Sequence, residues 1–220
     1  MPRSAAAAER KPAPEWSEDD RHLLEADHVL AELMRERGPI HPEDDRRGSR
    51  PNAFQAIARA IVGQQLSTKA AATIWGRAAE LIGDDDAGAA AVLAADPDQL
   101  RDAGLSRSKV GFLRDLAERV EDGRLDLDGL GKLPDEDVIA ALTEVKGIGR
   151  WTAEMFLMFH LGRPDLISAG DLGIRRAIQL AYGMEELPGP TEMERIAEPW
   201  RPQRTLACLY LWRSLANEPA

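Results

Sequence analysis

The stretch VKGIGRWTAEM, residues Val145–Met155, is the most informative one for the fold class of this 220-residue chain. Apolar residues recur at helical spacing on both sides of it, so it should connect two amphipathic helices. Gly147 and Gly149 suit either a positive φ or a close approach by another molecule. The helix that starts near Arg150 would then offer unpaired N–H groups and the positive end of its dipole. The stretch therefore predicts either a plain turn between helices or a phosphate site made of backbone.

The rest of the chain also has helical periodicity. No run of alternating β-branched residues indicates a sheet, so the sequence predicts an all-α fold. Ser67 is placed to cap one helix, and Asp96 followed by Pro97 is placed to begin another. Thr191 and Glu194 have the spacing of a capping box.

Composition indicates a globular protein, with 44% hydrophobic and 30% charged residues. No apolar run approaches the ~20 residues of a membrane span, so no membrane partner is expected. Residues 1–15 lack a secretory signal and are expected to form a flexible tail. The single cysteine, Cys208, excludes an internal disulfide and a cysteine-ligated zinc or iron–sulfur centre. We expect the protein to be located in a reducing, bacterial-type cytoplasm.

The net charge of -10 counts against a partner that is bound through a broad basic surface. Much of the acid, however, lies in segments that look peripheral, such as IGDDDAG at residues 82–88. Backbone N–H groups also bind anions and do not enter a count of charges. A nucleic-acid partner therefore remains compatible with this composition.

Asp171 begins a helix in the stretch SAGDLGIRRAI, residues 168–178. Asp is among the best helix caps, so capping alone could explain its place. The N–H groups of a helix start also keep a carboxylate ionised. Such a group is a poor general acid, but it can stabilise developing positive charge or orient water.

These stretches, together with AIVGQQLSTKAA at residues 60–71, resemble the helix–hairpin–helix DNA glycosylases that carry a Gly/Pro-rich loop and a catalytic Asp. The similarity runs from about Phe54 to Trp212 and is closest to the 3-methyladenine DNA glycosylase II type. It implies a two-lobed, all-helical fold with the active cleft between the lobes. The terminal lobe would comprise residues 16–58 and 178–220. The central lobe would comprise residues 59–177, including the helix–hairpin–helix at 142–161. The N-terminal α/β domain of many relatives is expected to be absent, because few residues precede Phe54.

The resemblance also implies a set of site residues. Asp171 matches the catalytic aspartate. The residues that match the DNA-binding group are Gly147, Gly149, Thr152, Lys146 and Arg150, and those that match the base pocket are Trp151, Met155 and Trp212. Gln65, with Leu66 beside it, matches the wedge that fills the gap left by the flipped nucleotide. The backbone carbonyls of Thr143, Val145 and Ile148 match those that bind a structural Na⁺ or K⁺. Members of the family place Leu at the position of Gln65, so this chain departs from them there.

Trp151 stands where relatives that also cut the DNA backbone have a lysine, the amine that such chemistry needs. The resemblance therefore implies a monofunctional hydrolase for alkylated purines, which needs no cofactor for its chemistry and acts as a monomer on damaged double-stranded DNA. Two alternatives stay open at this stage. One is a glycosylase for another lesion, such as uracil, hypoxanthine or an adenine mispair. The other is a noncatalytic helix–hairpin–helix module that binds distorted DNA.

Overall fold

The computed structural model describes residues 15–40, 52–83 and 88–215. Over these residues the secondary structure is helical and contains no strand, which confirms the all-α prediction. The tail predicted for residues 1–15 lies, apart from Glu15, outside the described residues. No helix within the described ranges is long and apolar enough to cross a membrane.

The described residues form α-helices α1 to α12 and two short 3₁₀ helices, Leu130–Lys132 and Glu198–Trp200. The α-helices are α1 Glu18–Ala26, α2 His28–Arg37, α3 Ala53–Gly63, α4 Thr68–Ile82, α5 Ala89–Ala94, α6 Pro97–Asp102, α7 Arg107–Glu121, α8 Asp135–Thr143, α9 Arg150–Phe159, α10 Leu172–Ala181, α11 Pro190–Ala197 and α12 Arg204–Leu215.

The chain divides into two compact units. Unit 1 comprises Met1–Asp45 and Leu172–Ala220, and unit 2 comprises Arg46–Asp171. The lobe boundaries predicted from the sequence, between residues 58 and 59 and between residues 177 and 178, fall inside α3 and α10. In the structure each of these helices stays whole: α3 packs on α4, α7 and α9, and α10 packs on α12 and α2. The division therefore follows the packing of complete helices.

Unit 2 contains helices α3 to α9 around a core of fully or nearly fully buried apolar side chains. Among them are Ile57, Ile61, Trp75, Leu113, Leu116, Leu142 and Leu157. Two sequence predictions of helix starts are confirmed here. The Ser67 hydroxyl accepts a bond from the Ala70 N–H in α4, and Asp96 accepts one from Asp98 in α6.

Unit 1 contains α1, α2 and α10 to α12. In this unit the half-buried Asp27 caps α2 and also accepts hydrogen bonds from Tyr182 Oη and from Trp200 Nε1 at 2.9 Å. Burial alone would raise the pKa of Asp27, but these hydrogen bonds lower it below its ordinary value. The capping box predicted at Thr191 and Glu194 is wrong, because the cap of α11 is Gly189, two residues before Thr191, and the helix begins at Pro190.

Candidate active site

The helix–hairpin–helix of unit 2 consists of α8, a tight connection at residues 144–149, and α9. Its two glycines have different conformations. Gly147 has φ of 81°, and a Cβ there would overlap the ring of Phe112 on α7. Gly149 has φ of -97°, and the space that its Cβ would occupy is open. Gly147 is therefore required by the turn itself, whereas Gly149 leaves an open approach to the start of α9.

The first backbone donors of α9 have no side-chain cap. Gly149 is the N-cap residue. The first N–H groups of any α-helix lack partners within the helix, and they carry the positive end of its dipole. The N–H groups expected to bind phosphate at Gly149 and Thr152 therefore belong to a helix start that an anion can complete.

Asp115 of α7 holds the hairpin through its contacts with Lys146. Its Oδ2 accepts hydrogen bonds from the Lys146 N–H and from Arg119 Nε, both at 3.0 Å, and its Oδ1 lies 3.3 Å from Lys146 Nζ. Burial raises the pKa of Asp115, but these bonds outweigh it and leave the pKa below its ordinary value. Lys146, predicted to contact DNA, thus has its ammonium group paired within the chain and its amide already bonded.

Arg150 is likewise engaged within the protein. Its guanidinium makes two hydrogen bonds to Glu136 of α8, at 2.9 and 2.5 Å, and its Nε donates to Glu154 at 2.9 Å. The bonds to Glu136 are the main reason that the pKa of Arg150 is raised. The guanidinium of Arg150 is therefore paired with carboxylates of the same chain, and its contact with DNA stays a prediction.

The three carbonyls expected to bind Na⁺ or K⁺ belong to Thr143, Val145 and Ile148. The Ile148 N–H donates to the Val145 carbonyl at 3.1 Å, which closes the turn. A carbonyl oxygen has two lone pairs, so this one can still coordinate a cation. Neutral carbonyl oxygens are suitable donors for alkali cations, and the residues therefore fit such an ion. Within the described residues, no three His, Cys, Asp or Glu side chains cluster as a metal site.

The turn predicted to carry the wedge lies between α3 and α4, at residues 64–67. Gln65 has φ of 58°, the one positive value among the described non-glycine residues, and Leu66 is 38% exposed. The Gln64 amide donates to the Gly147 carbonyl at 2.7 Å, which ties this turn to the hairpin. Lys109 Nζ donates to the carbonyls of Val62 and Gln64 at 2.8 and 2.7 Å, so α7 also holds the turn.

A cavity of about 610 Å³ opens in unit 2 beside the hairpin and the wedge turn. Its walls come from α3, α4, the end of α8, the hairpin and α9. The lining includes both predicted wedge residues and two of the predicted base-pocket residues: Gln65, Leu66, Trp151 and Met155. Trp151 is 49% exposed, so it is not a core tryptophan. Trp212, the third predicted pocket residue, lies half-buried on α12 of unit 1, and its role stays a prediction.

Asp171 ends unit 2 and directly precedes α10. It is 8% exposed, its N–H donates to the Ser168 carbonyl at 3.0 Å, and its Oδ2 accepts a hydrogen bond from Trp151 Nε1 at 2.7 Å. The structure thus joins the predicted carboxylate to a wall of the cavity. Sequence reasoning identified both residues but not the bond between them, because they are 20 positions apart.

The predicted carboxylate is thus bonded to a wall of the cavity, and the second helix of the adjoining helix–hairpin–helix has no side-chain cap. Residues 58–202 match the family model of the HhH-GPD superfamily of base excision DNA repair proteins, and the chain belongs to this superfamily. The family resemblance drawn from the three sequence stretches is thereby confirmed.

Individual relatives agree with this assignment. A DNA-3-methyladenine glycosidase from Bacillus halodurans is 37% identical, with a TM-score of 0.80 over 91% of this chain and 90% of that one. The Schizosaccharomyces pombe 3-methyladenine DNA glycosylase Mag1, solved with abasic DNA, is 28% identical, with a TM-score of 0.77 over 93% of this chain and 100% of that one. The Bacillus subtilis protein YfjP is 31% identical over 170 residues, which cover 74% of this chain and 59% of YfjP.

Proposed function

We propose that the protein is a monofunctional DNA glycosylase that hydrolyses the N-glycosidic bond of alkylated purines in double-stranded DNA and so begins base excision repair. The observation that carries the proposal is the Trp151–Asp171 pair at the edge of the cavity. It supplies a buried carboxylate and an aromatic wall in one place. The names of the relatives from B. halodurans and S. pombe support the same substrate class.

In the proposed mode of DNA binding, backbone groups contribute more than charged side chains do. A phosphate of the damaged strand binds at the start of α9, where Gly149 leaves the approach open. The three hairpin carbonyls would hold Na⁺ or K⁺, which supplies positive charge near that phosphate. The wedge turn fills the gap left when the nucleotide leaves the stack, a step that costs less for a damaged pair.

The chemistry follows from the charges of the reacting groups. Purines methylated at N3 or N7 are cationic, so they leave as neutral bases without a general acid. The indole of Trp151 attracts such a ring by roughly 0.5–2 kcal/mol. As the glycosidic bond breaks, Asp171 stabilises the positive charge on the sugar, as carboxylates do in glycoside hydrolysis. Water then adds its oxygen to C1′ and releases a proton, which leaves an abasic sugar.

Backbone cleavage is not part of the proposed reaction. A lyase step needs an amine that forms a Schiff base with C1′, and Trp151 occupies the position where such relatives have lysine. No cofactor is required for hydrolysis itself. We propose that the protein works as a monomer, and that its substrate places it with the genome in a bacterial-type cytoplasm.

The test is a base-release assay on duplexes that each carry one defined lesion: 7-methylguanine, 3-methyladenine, ethenoadenine, hypoxanthine or uracil. Mass spectrometry identifies the free base, and strand breaks are scored with and without alkali. We expect release of methylated purines, with breaks only after alkali. Asp171→Asn should slow release on the order of 100-fold or more, as removal of one electrostatic stabiliser does elsewhere, while binding of abasic-analogue DNA is kept. Tight binding without release of any base would instead identify a noncatalytic module.

A further inference from the structure

We infer that Glu154 is a positioning residue that holds the Asp171 loop in register with the DNA-binding start of α9. The inference rests on the glycosylase function proposed above and adds a residue to its machinery. Glu154 is buried and does not line the cavity, and its hydrogen bond to Ser168 links it to the Asp171 loop.

Glu154 is a buried carboxylate with both oxygens engaged. It is 4% exposed. Its Oε1 accepts from Arg150 Nε at 2.9 Å, and its Oε2 accepts from Ser168 Oγ at 2.5 Å. Burying a charge is costly, and an apolar side chain would fill the same space at lower cost. The carboxylate is therefore unexpected at this position unless its two hydrogen bonds matter.

The bond to Ser168 reaches the loop of Asp171. Ser168 is fully buried, and its carbonyl accepts the Asp171 N–H at 3.0 Å. Glu154 thus holds the residue that closes the turn before the carboxylate. Three residues earlier in α9, the Trp151 indole donates directly to Asp171 Oδ2. The loop and the carboxylate are therefore each fixed by α9.

The bond to Arg150 reaches the other way, to the hairpin. Arg150 is the first residue of α9, and its two bonds to Glu136 join that turn to α8. A continuous set of hydrogen bonds consequently runs from Glu136 through Arg150 and Glu154 to Ser168. A phosphate bound at the start of α9 would thus rest on the same framework that orients Asp171.

Four variants test the inference. Glu154→Met keeps the volume but removes both acceptors. Glu154→Gln can still accept from Arg150 and can donate to the Ser168 hydroxyl, which is able to accept. Ser168→Ala breaks only the bond to the loop. Asp98→Asn is the control, because Asp98 pairs with Arg101 on α6 and lies outside this set of hydrogen bonds.

Single-turnover base release should fall about 100-fold in Glu154→Met, the size of effect that a misplacement of about 1 Å produces. Ser168→Ala should lose at least ~10-fold, whereas Glu154→Gln and Asp98→Asn should stay within ~3-fold of wild type. The Kd for abasic-analogue DNA should change little in all four. The Tm of Glu154→Met and Ser168→Ala should fall, because each leaves a buried polar partner unsatisfied, so the rates are compared well below the lowest Tm. An unchanged rate in Glu154→Met and Ser168→Ala would overturn the inference. Loss of rate only in proportion to loss of binding or folding would overturn it as well.

A second readout does not depend on activity. The protein has five tryptophans, and Trp151→Phe identifies the Trp151 indole N–H signal in a ¹⁵N NMR spectrum. That signal should shift in Glu154→Met and in Ser168→Ala, because Asp171 moves, and it should stay in place in Asp98→Asn. A signal that is unmoved in the first two variants would refute the linkage. If the wild type releases no base, the proposed function fails, and the NMR result still decides the linkage.

Discussion

The indole Nε1 of Trp151 donates a 2.7 Å hydrogen bond to Oδ2 of Asp171. The indole N–H carries no charge, so it orients the carboxylate through a hydrogen bond without neutralising its negative charge. Trp151 also lines the cavity. A single side chain therefore contributes an aromatic surface for the base and the hydrogen bond that aims the group acting on the sugar.

Trp151→Phe separates these two contributions, because it keeps a ring but removes the donor. A hydrogen bond to a charged group contributes about 1.5–3 kcal/mol, so we expect single-turnover base release to fall by at least ~10-fold. Binding to abasic-analogue DNA should be nearly unchanged, since no base occupies the site. A rate equal to that of wild type would show that the bond has no part in the reaction.

The two hairpin glycines should respond differently to alanine. Gly147→Ala forces a side chain into a positive φ and against Phe112, so we expect a loss of about 1–3 kcal/mol in the free energy of unfolding, or more. Gly149→Ala meets no protein atom, so its Tm should be kept while DNA binding weakens. Urea unfolding and a binding titration distinguish the two variants. A Gly149→Ala protein that binds DNA as tightly as wild type would remove that approach from the proposed interface.

Lys109 should control the wedge turn from outside the DNA interface. Lys109→Met removes the donor to the Val62 and Gln64 carbonyls, and two backbone acceptors lose a charged partner. We expect a lower Tm and weaker binding to duplexes with an abasic site, where the wedge must enter. Lys132→Met, an exposed lysine of the same unit, is the matched control. Equal behaviour of the two variants would count against a role for Lys109 in holding the turn.

The anchor at Asp115 predicts acid sensitivity of the hairpin. Its pKa in the folded protein lies below the ordinary value of 3.8. A lowered pKa stabilises the fold fully above the unfolded-state value, and that stabilisation is lost as pH falls through the folded-state value. Asp115→Asn should therefore lower the free energy of unfolding at pH 7 and flatten its decline below about pH 4. Urea unfolding across this range, with Asp98→Asn as an exposed control, checks the prediction.

The intrachain pairing of Lys146 and Arg150 predicts a weak dependence of DNA binding on salt. Each phosphate neutralised by an unpaired Lys or Arg steepens that dependence by about one counterion. Backbone donors add little to it, so we expect a slope of only a few counterions. A binding series from low to moderate salt on abasic-analogue DNA measures it. A steep slope would indicate that affinity comes from basic side chains elsewhere on the chain.

The sequence predicted those parts of the site whose signals are local. Glycine spacing predicted the hairpin, and the family resemblance of the stretch AIVGQQLSTKAA predicted the wedge at Gln65 and Leu66. The contacts that hold these pieces were missed, because Phe112, Asp115 and Lys109 of α7 lie 31 to 47 positions along the chain from the residues that they contact. No periodicity encodes such contacts. The same limit explains the domain boundaries, which depend on which neighbours α3 and α10 pack against.

Gln65 has a left-handed backbone, with φ of 58°, in a turn that hydrogen bonds from Lys109 and from the Gln64 amide hold within the protein. For a residue with a side chain this conformation is unfavourable by about 1–3 kcal/mol, and the cost is met during folding. The loop consequently reaches the duplex already shaped, and little chain entropy remains to be lost when it enters the stack. Lesion recognition should then be limited by how readily the base pair opens, so that the DNA, more than the protein, undergoes the conformational change.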